Sequence, residues 1–342
     1  MQQITNKNEQ KKLTIIHSEE YNPWYNLALE EHLFNNLDED EIILYLWQND
    51  QTVVIGRNQN SWQECRCSLL EEENGGFLAR RLSGGGAVYH DLGNLNFTFI
   101  LKKKNYDVEK QLEVILKAVR NLGIKAEFTG RNDITVSGKK ISGNAFYHSQ
   151  GTAYHHGTIL FDTDIESLVK YLQVSQEKIK SKGIKSVRSR VVNLKEIKED
   201  LTLNSIKEEI EKSFLETYNA SLKKVEKIET KPSQIKELEE LYNKYSSWDW
   251  RYGKTPDFDI YFEKRFEWGG VELGIALIDG KIDQVRVYSD AGNAELFVKI
   301  NEILKGEKLN KERIISSLDK LKAVGNQDII NDLKQWLAKR DI

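Results

Sequence analysis

Apolar positions along the chain change their spacing several times, and each change marks an element. Ile15 and Ile16 open a strand. Asn22 can then cap a helix that has Pro23 at its first position, with Trp24, Leu27, Ala28, Phe34 and Leu37 on one side. Residues 42–47 and 52–56 read as strands. A second helix is expected over 108–121, capped by Asp107 and stopped by Gly123, with Leu112, Ile115, Leu116 and Val119 facing inward. Ile134 and Val136 alternate with Thr135 and Ser137, and Ile141 resumes the pattern after Lys139 and Lys140. That spacing predicts a hairpin turned at Ser137 and Gly138.

From about residue 168 the pattern is mostly helical, through Ile206, Ile210 and Phe214 and then Ile235, Leu238, Leu241 and Tyr242. The charged stretch 223–231 between those helices reads as solvated. Residues 246–256 form a junction. Beyond it come strands at 271–278 and 284–288 around an Asp279-Gly280 turn, then helices near 295–304, 311–321 and 327–337. Two units follow: a large one over 1–248 and a small α+β one over 257–342.

Two segments carry candidate chemistry. The first is Arg80-Arg81-Leu82-Ser83-Gly84-Gly85-Gly86-Ala87-Val88-Tyr89-His90-Asp91. Three residues without Cβ can bring backbone N–H groups against a phosphate or carboxylate, and the arginine pair can add charge-assisted bonds. The second is Gly130-Arg131-Asn132-Asp133, followed by Lys139-Lys140-Ile141-Ser142-Gly143-Asn144-Ala145-Phe146. Alternation points the two lysines to opposite faces, and Lys140, which leads into Ser142 and Gly143, is the better candidate for a site. Asp133 is either a hard oxygen ligand for a divalent cation or the cap of a turn.

Composition narrows the field. The 342-residue chain has a net charge of −3, which gives no footprint for a nucleic-acid partner. No segment is apolar over the length of a membrane span, and residues 1–12 lack the apolar core of a signal peptide, so a cytoplasmic protein is expected. Cys65 and Cys67, in a stretch read as exposed or helical, are too close together for an ordinary structural disulfide. Gly253-Lys254-Thr255 imitates the end of a phosphate loop, but Trp248 stands where that loop needs its first glycine. His155 and His156 are adjacent, point apart and suggest structural or substrate contacts rather than a metal pair.

Taken together with His155-His156-Gly157-Thr158 and Gly183-Ile184-Lys185-Ser186-Val187-Arg188-Ser189-Arg190-Val191, these segments resemble the lipoate–protein ligases, in the long form with an accessory C-terminal domain. The motifs are separated and run in order over nearly the whole chain. The resemblance implies an α+β fold: a biotin/lipoate-ligase-like catalytic domain on mixed β-sheets, with a small α+β C-terminal domain that moves relative to it. It also implies two half-reactions, in which lipoate and ATP give lipoyl-AMP and a lysine of an acceptor protein then takes the lipoyl group. Octanoate stays open as a second substrate.

By motif position, Lys140 resembles the lysine that bridges the acyl carbonyl and the α-phosphate. Gly84, Gly85, Gly86 and Ala87 resemble the loop along the acyl-adenylate, with Arg81, Ser83 and His90 at the pocket edge. Asn132, Gly143, Ala145 and Thr158 resemble further adenylate or acyl contacts, and Asp133 a Mg2+ or polar contact. Tyr89, Phe146 and Asn144 fall where such ligases vary. The implied acceptors are the glycine-cleavage H protein and the E2 subunits of 2-oxoacid dehydrogenases, and the implied state is a monomer. The main alternative is a lipoyl or octanoyl transferase that takes its acyl group from a protein donor. Its covalent versions need a cysteine facing the pocket.

Overall fold

Alternation along one strand decides the layering. In β2 (Glu41–Trp47), Ile42, Leu44 and Leu46 pack into one core while Ile43, Tyr45 and Trp47 pack into another, so the sheet must be covered on both faces. The computed structural model describes residues 12–129, 133–172, 190–218, 224–228, 235–252, 260–278, 281–291, 294–323 and 327–340. Gly130, Arg131, Asn132, most of the 183–191 motif, the Gly253-Lys254-Thr255 triplet and the Asp279-Gly280 turn lie outside the described residues.

The strands up to the junction are β1 (Lys12–Ser18), β2, β3 (Thr52–Ile55), β4 (Phe77–Arg80), β5 (Val88–His90), β6 (Asn94–Lys102), β7 (Ala126–Thr129), β8 (Asp133–Val136), β9 (Lys139–Ser149), β10 (Thr152–Leu160) and β11 (Lys224–Ile228). Eight of them form one mixed sheet in the order β11-β1-β2-β6-β10-β9-β8-β7, and the other three pair as β4-β3-β5. The helices of this part are α1 (Pro23–Asn35), α2 (Ser61–Glu64), α3 (Cys67–Glu71), α4 (Val108–Asn121), α5 (Ile165–Tyr171), α6 (Leu194–Ile197), α7 (Leu203–Tyr218), α8 (Lys236–Ser246) and α9 (Trp248–Arg251). One face of the large sheet buries Phe97 and Phe99 against Leu112, Ile115 and Phe214 of α4 and α7. The other buries Tyr45, Trp47 and Tyr154 against Tyr25 and Leu27 of α1 and Leu238 and Tyr245 of α8.

Local signals hold where they are physically local. The Asn22 side chain accepts from the N–H groups of Trp24 and Tyr25, and α1 starts at Pro23. Asp107 caps α4 through Lys110 N–H. Ser137 and Gly138 take φ of 50° and 76°, the left-handed pair that a two-residue hairpin turn requires. The charged stretch read as solvated contains β11, which pairs parallel with β1 at the sheet's edge. Charge disguised that strand, because an edge strand tolerates lysines that a central one does not.

After the junction, β12 (Ile260–Phe266), β13 (Gly269–Ile278) and β14 (Lys281–Ser289) form an antiparallel sheet covered by α10 (Ala294–Leu304), α11 (Lys311–Asp319) and α12 (Gln327–Ala338). Its core runs from Val271 to Leu337 and uses no buried residue from the larger part. Among the described residues no helix is long and apolar enough to cross a membrane.

Candidate active site

One row of residues crosses the large sheet on its α1 face. Trp47 of β2 pairs with Asn96 of β6, Asn96 pairs with Thr158 of β10, Thr158 Oγ1 accepts from Gly143 N–H of β9 at 3.1 Å, and Gly143 pairs with Asp133 of β8. Four strand intervals of about 4.8 Å make this row about 19 Å long. Leu27, Val54, Gly85, Gly86, Ala87 and Val88 roof a cavity of about 210 Å³ above it. One end is aromatic and aliphatic. The other carries Lys140 and Asp133.

A bulge places the lysine. Ile134 pairs with Ser142 but Thr135 pairs with Lys140, so Ile141 is an extra residue in β9. Strict alternation would set Lys140 on the face opposite Gly143. The extra residue brings both into the cavity, where Lys140 Nζ lies 2.8 Å from Asp133 Oδ1. The backbone of Lys140 is fixed from the other side, since its N–H donates to Arg190 O at 2.6 Å and its carbonyl accepts from Val192 N–H at 3.0 Å.

A Cβ at Gly143 would sit 2.8 Å from Lys140 Nζ, the free end of a flexible side chain. Gly143→Ala is therefore expected to displace the ammonium without unfolding the sheet. It should lower kcat/KM about tenfold with an unchanged melting temperature, because a small misplacement of an aligned group is enough. A fall in stability that matches the fall in activity would count against this account.

The glycine loop departs from expectation in one respect: neither arginine is free to hold an anion with its whole guanidinium. Arg81 is buried and donates to Ser83 Oγ and to the carbonyls of Gly84, Gly86 and Val54. Arg80 donates to the carbonyls of Gln59, Trp250 and Arg251 and to Ser61 Oγ. Burial lowers both to about 10, which leaves them charged at neutral pH. Their work is to shape the loop from behind. Gly85, at φ 92°, turns its carbonyl toward Gly56, where a Cβ would come within 2.2 Å of that oxygen. Only glycine at position 56 lets these two loops touch.

Beneath the loop runs a buried polar chain. Thr98 Oγ1 donates to Glu30 Oε1 at 2.7 Å, His156 Nδ1 lies 2.9 Å from the same oxygen, and His156 Nε2 lies 2.8 Å from Ser83 Oγ. His155 faces the opposite way, between Gln111 and Asn144. The pair thus splits as the sequence suggested, with only His156 lining the cavity.

Burial pushes His90 and His155 down to about 3. An unfolded histidine titrates near 6.5, so the chain takes up protons on unfolding between those values. The stability contributed by the two neutral rings is complete above about pH 6.5 and is lost progressively as pH drops toward 3. NMR should show both imidazoles still neutral at pH 5. A midpoint near 6.5 for either ring would remove this source of acid lability.

Of the residues singled out from sequence, Arg81, Gly85, Gly86, Ala87, His90, Asp133, Lys140, Gly143, Ala145 and Thr158 line the cavity. Ser83 and Gly84 of the same loop do not line the cavity, and Asn132 lies outside the described residues. His90 is buried beside Trp47, with ring centres 6.2 Å apart, rather than at an edge. Sequence reasoning missed Leu27 of α1 and Trp47, Val54 and Asn96 of the sheets, which only tertiary packing brings together, and Asp290 from the C-terminal part. Cys65 and Cys67, read as exposed or helical, are both buried in the core of the small sheet, and neither lines the cavity.

Comparisons with known proteins bear on the family and the fold. Residues 22–215 match the family model of the lipoyl protein ligase A/B catalytic domain, and residues 255–337 that of the bacterial lipoate protein ligase C-terminus. "Lipoate-protein ligase A" of Psychrobacter cryohalolentis is 42% identical over 333 residues, 95% of this chain and 98% of that protein. The crystal structure of P. falciparum LipL1 with lipoate has a TM-score of 0.85 at 33% identity and covers 96% of this chain and all of that one. The Thermoplasma acidophilum bipartite ligase, described with its E2 lipoyl domain, has a TM-score of 0.64 at 29% identity over 73% of this chain and all of that one. A lipoate-protein ligase A bound with ATP has a TM-score of 0.61 at 28% identity over 71% of this chain and 99% of that one.

Proposed function

The chain belongs to the lipoate–protein ligase family, and from that premise we propose how its own residues divide the reaction. The enzyme uses ATP and lipoate and modifies lipoyl-acceptor domains. In the first half-reaction a carboxylate oxygen of lipoate attacks the α-phosphorus of ATP and pyrophosphate leaves. In the second, the amine of an acceptor lysine attacks the acyl carbon and AMP leaves. Both steps gather negative charge at one end of an extended chain. The row from Trp47 to Asp133 is built for that polarity, and this observation carries the reading.

The roles follow from position. Lys140 meets the acyl carbonyl and the α-phosphate, and Asp133 holds its ammonium in place. Gly85, Gly86 and Ala87 lie along the adenylate, Gly143 and Ala145 allow its close approach, Thr158 orients Gly143, and Arg81 and Ser83 brace the loop. The acyl chain runs toward Leu27, Val54 and Trp47. Lipoate is the leading substrate and octanoate, which fits the same track, a second one.

Mg2+ belongs to the nucleotide in this reading. Among the described residues no group of three His, Cys, Asp or Glu side chains forms a metal site, and Asp133 is the carboxylate paired with Lys140, while Asp290, the other one lining the cavity, is engaged by Gly270 N–H and Arg265. That suits a cation held by one carboxylate and the substrate's phosphates, where it supplies charge neutralisation. We further propose a cytoplasmic monomer that acts on the glycine-cleavage H protein and E2 subunits.

Pyrophosphate exchange tests the assignment. Lipoate, ATP and Mg2+ should support exchange with no acceptor present, and the Cys65→Ser/Cys67→Ser variant should keep turnover within about threefold, since no acyl-cysteine is formed. Modification that proceeds only from an acyl-protein donor, or an acyl-cysteine seen by intact mass, would move the protein to the transferase class.

A further inference from the structure

His90 carries a proton whose position the fold dictates. Asn26, at the centre of the hydrogen-bond chain, shares the two hydrogens of its Nδ2 among the carbonyls of Glu20 and Gln48 and Asn49 Oδ1, while its Oδ1 accepts from the hydroxyls of Ser18 and Tyr45. Two carbonyl acceptors leave the Asn26 amide one orientation. Asn49 Oδ1 is therefore an acceptor, and Asn49 Nδ2 is the donor that faces His90 Nδ1 at 3.1 Å. His90 Nδ1 must accept. Burial keeps the ring neutral, so its single N–H is on Nε2.

That Nε2 is buried and meets no hydrogen-bond partner among the described residues, although His90 lines the cavity. The amide of Asn96 is in the same condition, with Oδ1 engaged by Asn94 and Nδ2 unpartnered. Buried donors of this kind are uncommon, and two of them on residues that line the same cavity point to an acceptor on the ligand.

Their position says which part of the ligand. Asn96 lies two strand intervals, about 10 Å, from Gly143 beneath the Lys140 ammonium. The carboxylate stays at Lys140, so these donors meet the far end of an eight-carbon acid. A saturated chain has no acceptor there. A dithiolane ring has two sulfur atoms, weak acceptors that can take an N–H each.

We infer that His90 Nε2–H, with the Asn96 amide beside it, reads the ring sulfurs and makes this pocket select a dithiolane acid over a saturated acid of the same length. The inference rests on the cavity being the acyl site. Leaving a buried donor unpaired is what disfavours the wrong acid, so the discrimination belongs to the protein and not to shape alone.

Three acids separate these terms in pyrophosphate exchange: lipoate, 5-cyclopentylpentanoate, which keeps the five-membered ring without sulfur, and octanoate. The parent enzyme should prefer lipoate to the carbocycle by about tenfold in kcat/KM, as one hydrogen bond implies. His90→Phe should bring that ratio within about twofold by losing lipoate activity, and His90→Gln, which keeps an N–H, should retain part of it. Equal use of lipoate and the carbocycle by the parent enzyme would overturn the inference, as would a His90→Phe variant that loses all three acids in proportion. The three-acid series on the parent enzyme decides the matter even if the variants fold poorly. Exchange with none of the acids would instead remove the acyl-site reading itself, and this inference with it.

Discussion

Replacing Lys140 with alanine is expected to slow adenylation by at least about 100-fold while leaving the fold intact, the loss typical of removing one preorganised donor at a developing charge. The side chain is partly exposed and its ion-pair partner among the described residues, Asp133, is also near the surface, so little stability depends on it. Its value is in placement. The bulge at Ile141 turns it into the cavity, the segment 190–192 fixes its backbone, and Gly143 leaves room for the ammonium. Both half-reactions put charge on the oxygens it would face in the proposed pose, so transfer from preformed lipoyl-AMP should fall as well. Lys139 is exposed outside the cavity, and Lys139→Ala should stay within about threefold of the parent, as surface charges far from the chemistry usually do. The measurement is pyrophosphate exchange on variants with matched circular dichroism. Equal losses at the two lysines would refute the facing argument.

What the sequence made legible was mostly local. The cap at Asn22, the Ser137-Gly138 turn and the glycine run depend on residues within a few positions of one another, and each stands where expected. The two lysines were separated correctly by alternation. The bulge that joins Lys140 to the face of Gly143 has no local marker, because Ile141 is as apolar as any strand residue. The arginines misled for a related reason: a guanidinium beside glycines can bind an anion or the glycines' own carbonyls, and only the closing of the Ser83–Gly86 loop decides. Glu30, His156 and Ser83 are up to 126 residues apart and meet through strand order, as do Asn26, Asn49 and His90. A single chain read in order gives no sign of either network.

Hydrogen bonds at the junction favour a functional cut a few residues after 248, and a fragment ending at Tyr252 is expected to transfer lipoate from supplied lipoyl-AMP yet to form that intermediate at least about 100-fold more slowly. The reading from sequence ended the catalytic part at 248. That cut would remove the carbonyls of Trp250 and Arg251, which accept from Arg80, and the Arg251 and Tyr252 side chains, which bind Glu71. A buried arginine would lose two of its hydrogen-bond acceptors, at a cost in folding. Ending at Tyr252 keeps them. The C-terminal part has its own core, and it touches the catalytic part through Ser289 N–H on Asn58 O at 2.7 Å, through Tyr261 and Gln63, and through Asp290 at the cavity. We propose that these contacts hold the 56–59 loop against Gly85 while ATP and lipoate react, and that the second step needs only the adenylate already bound. The test supplies the fragment with lipoyl-AMP or with lipoate plus ATP and measures acceptor mass, then adds residues 257–342 as a separate chain, which should restore adenylation. Unimpaired adenylation by the fragment alone would reduce the C-terminal part to stability or acceptor docking, and loss of both steps in a folded fragment would place part of the transfer chemistry beyond the junction.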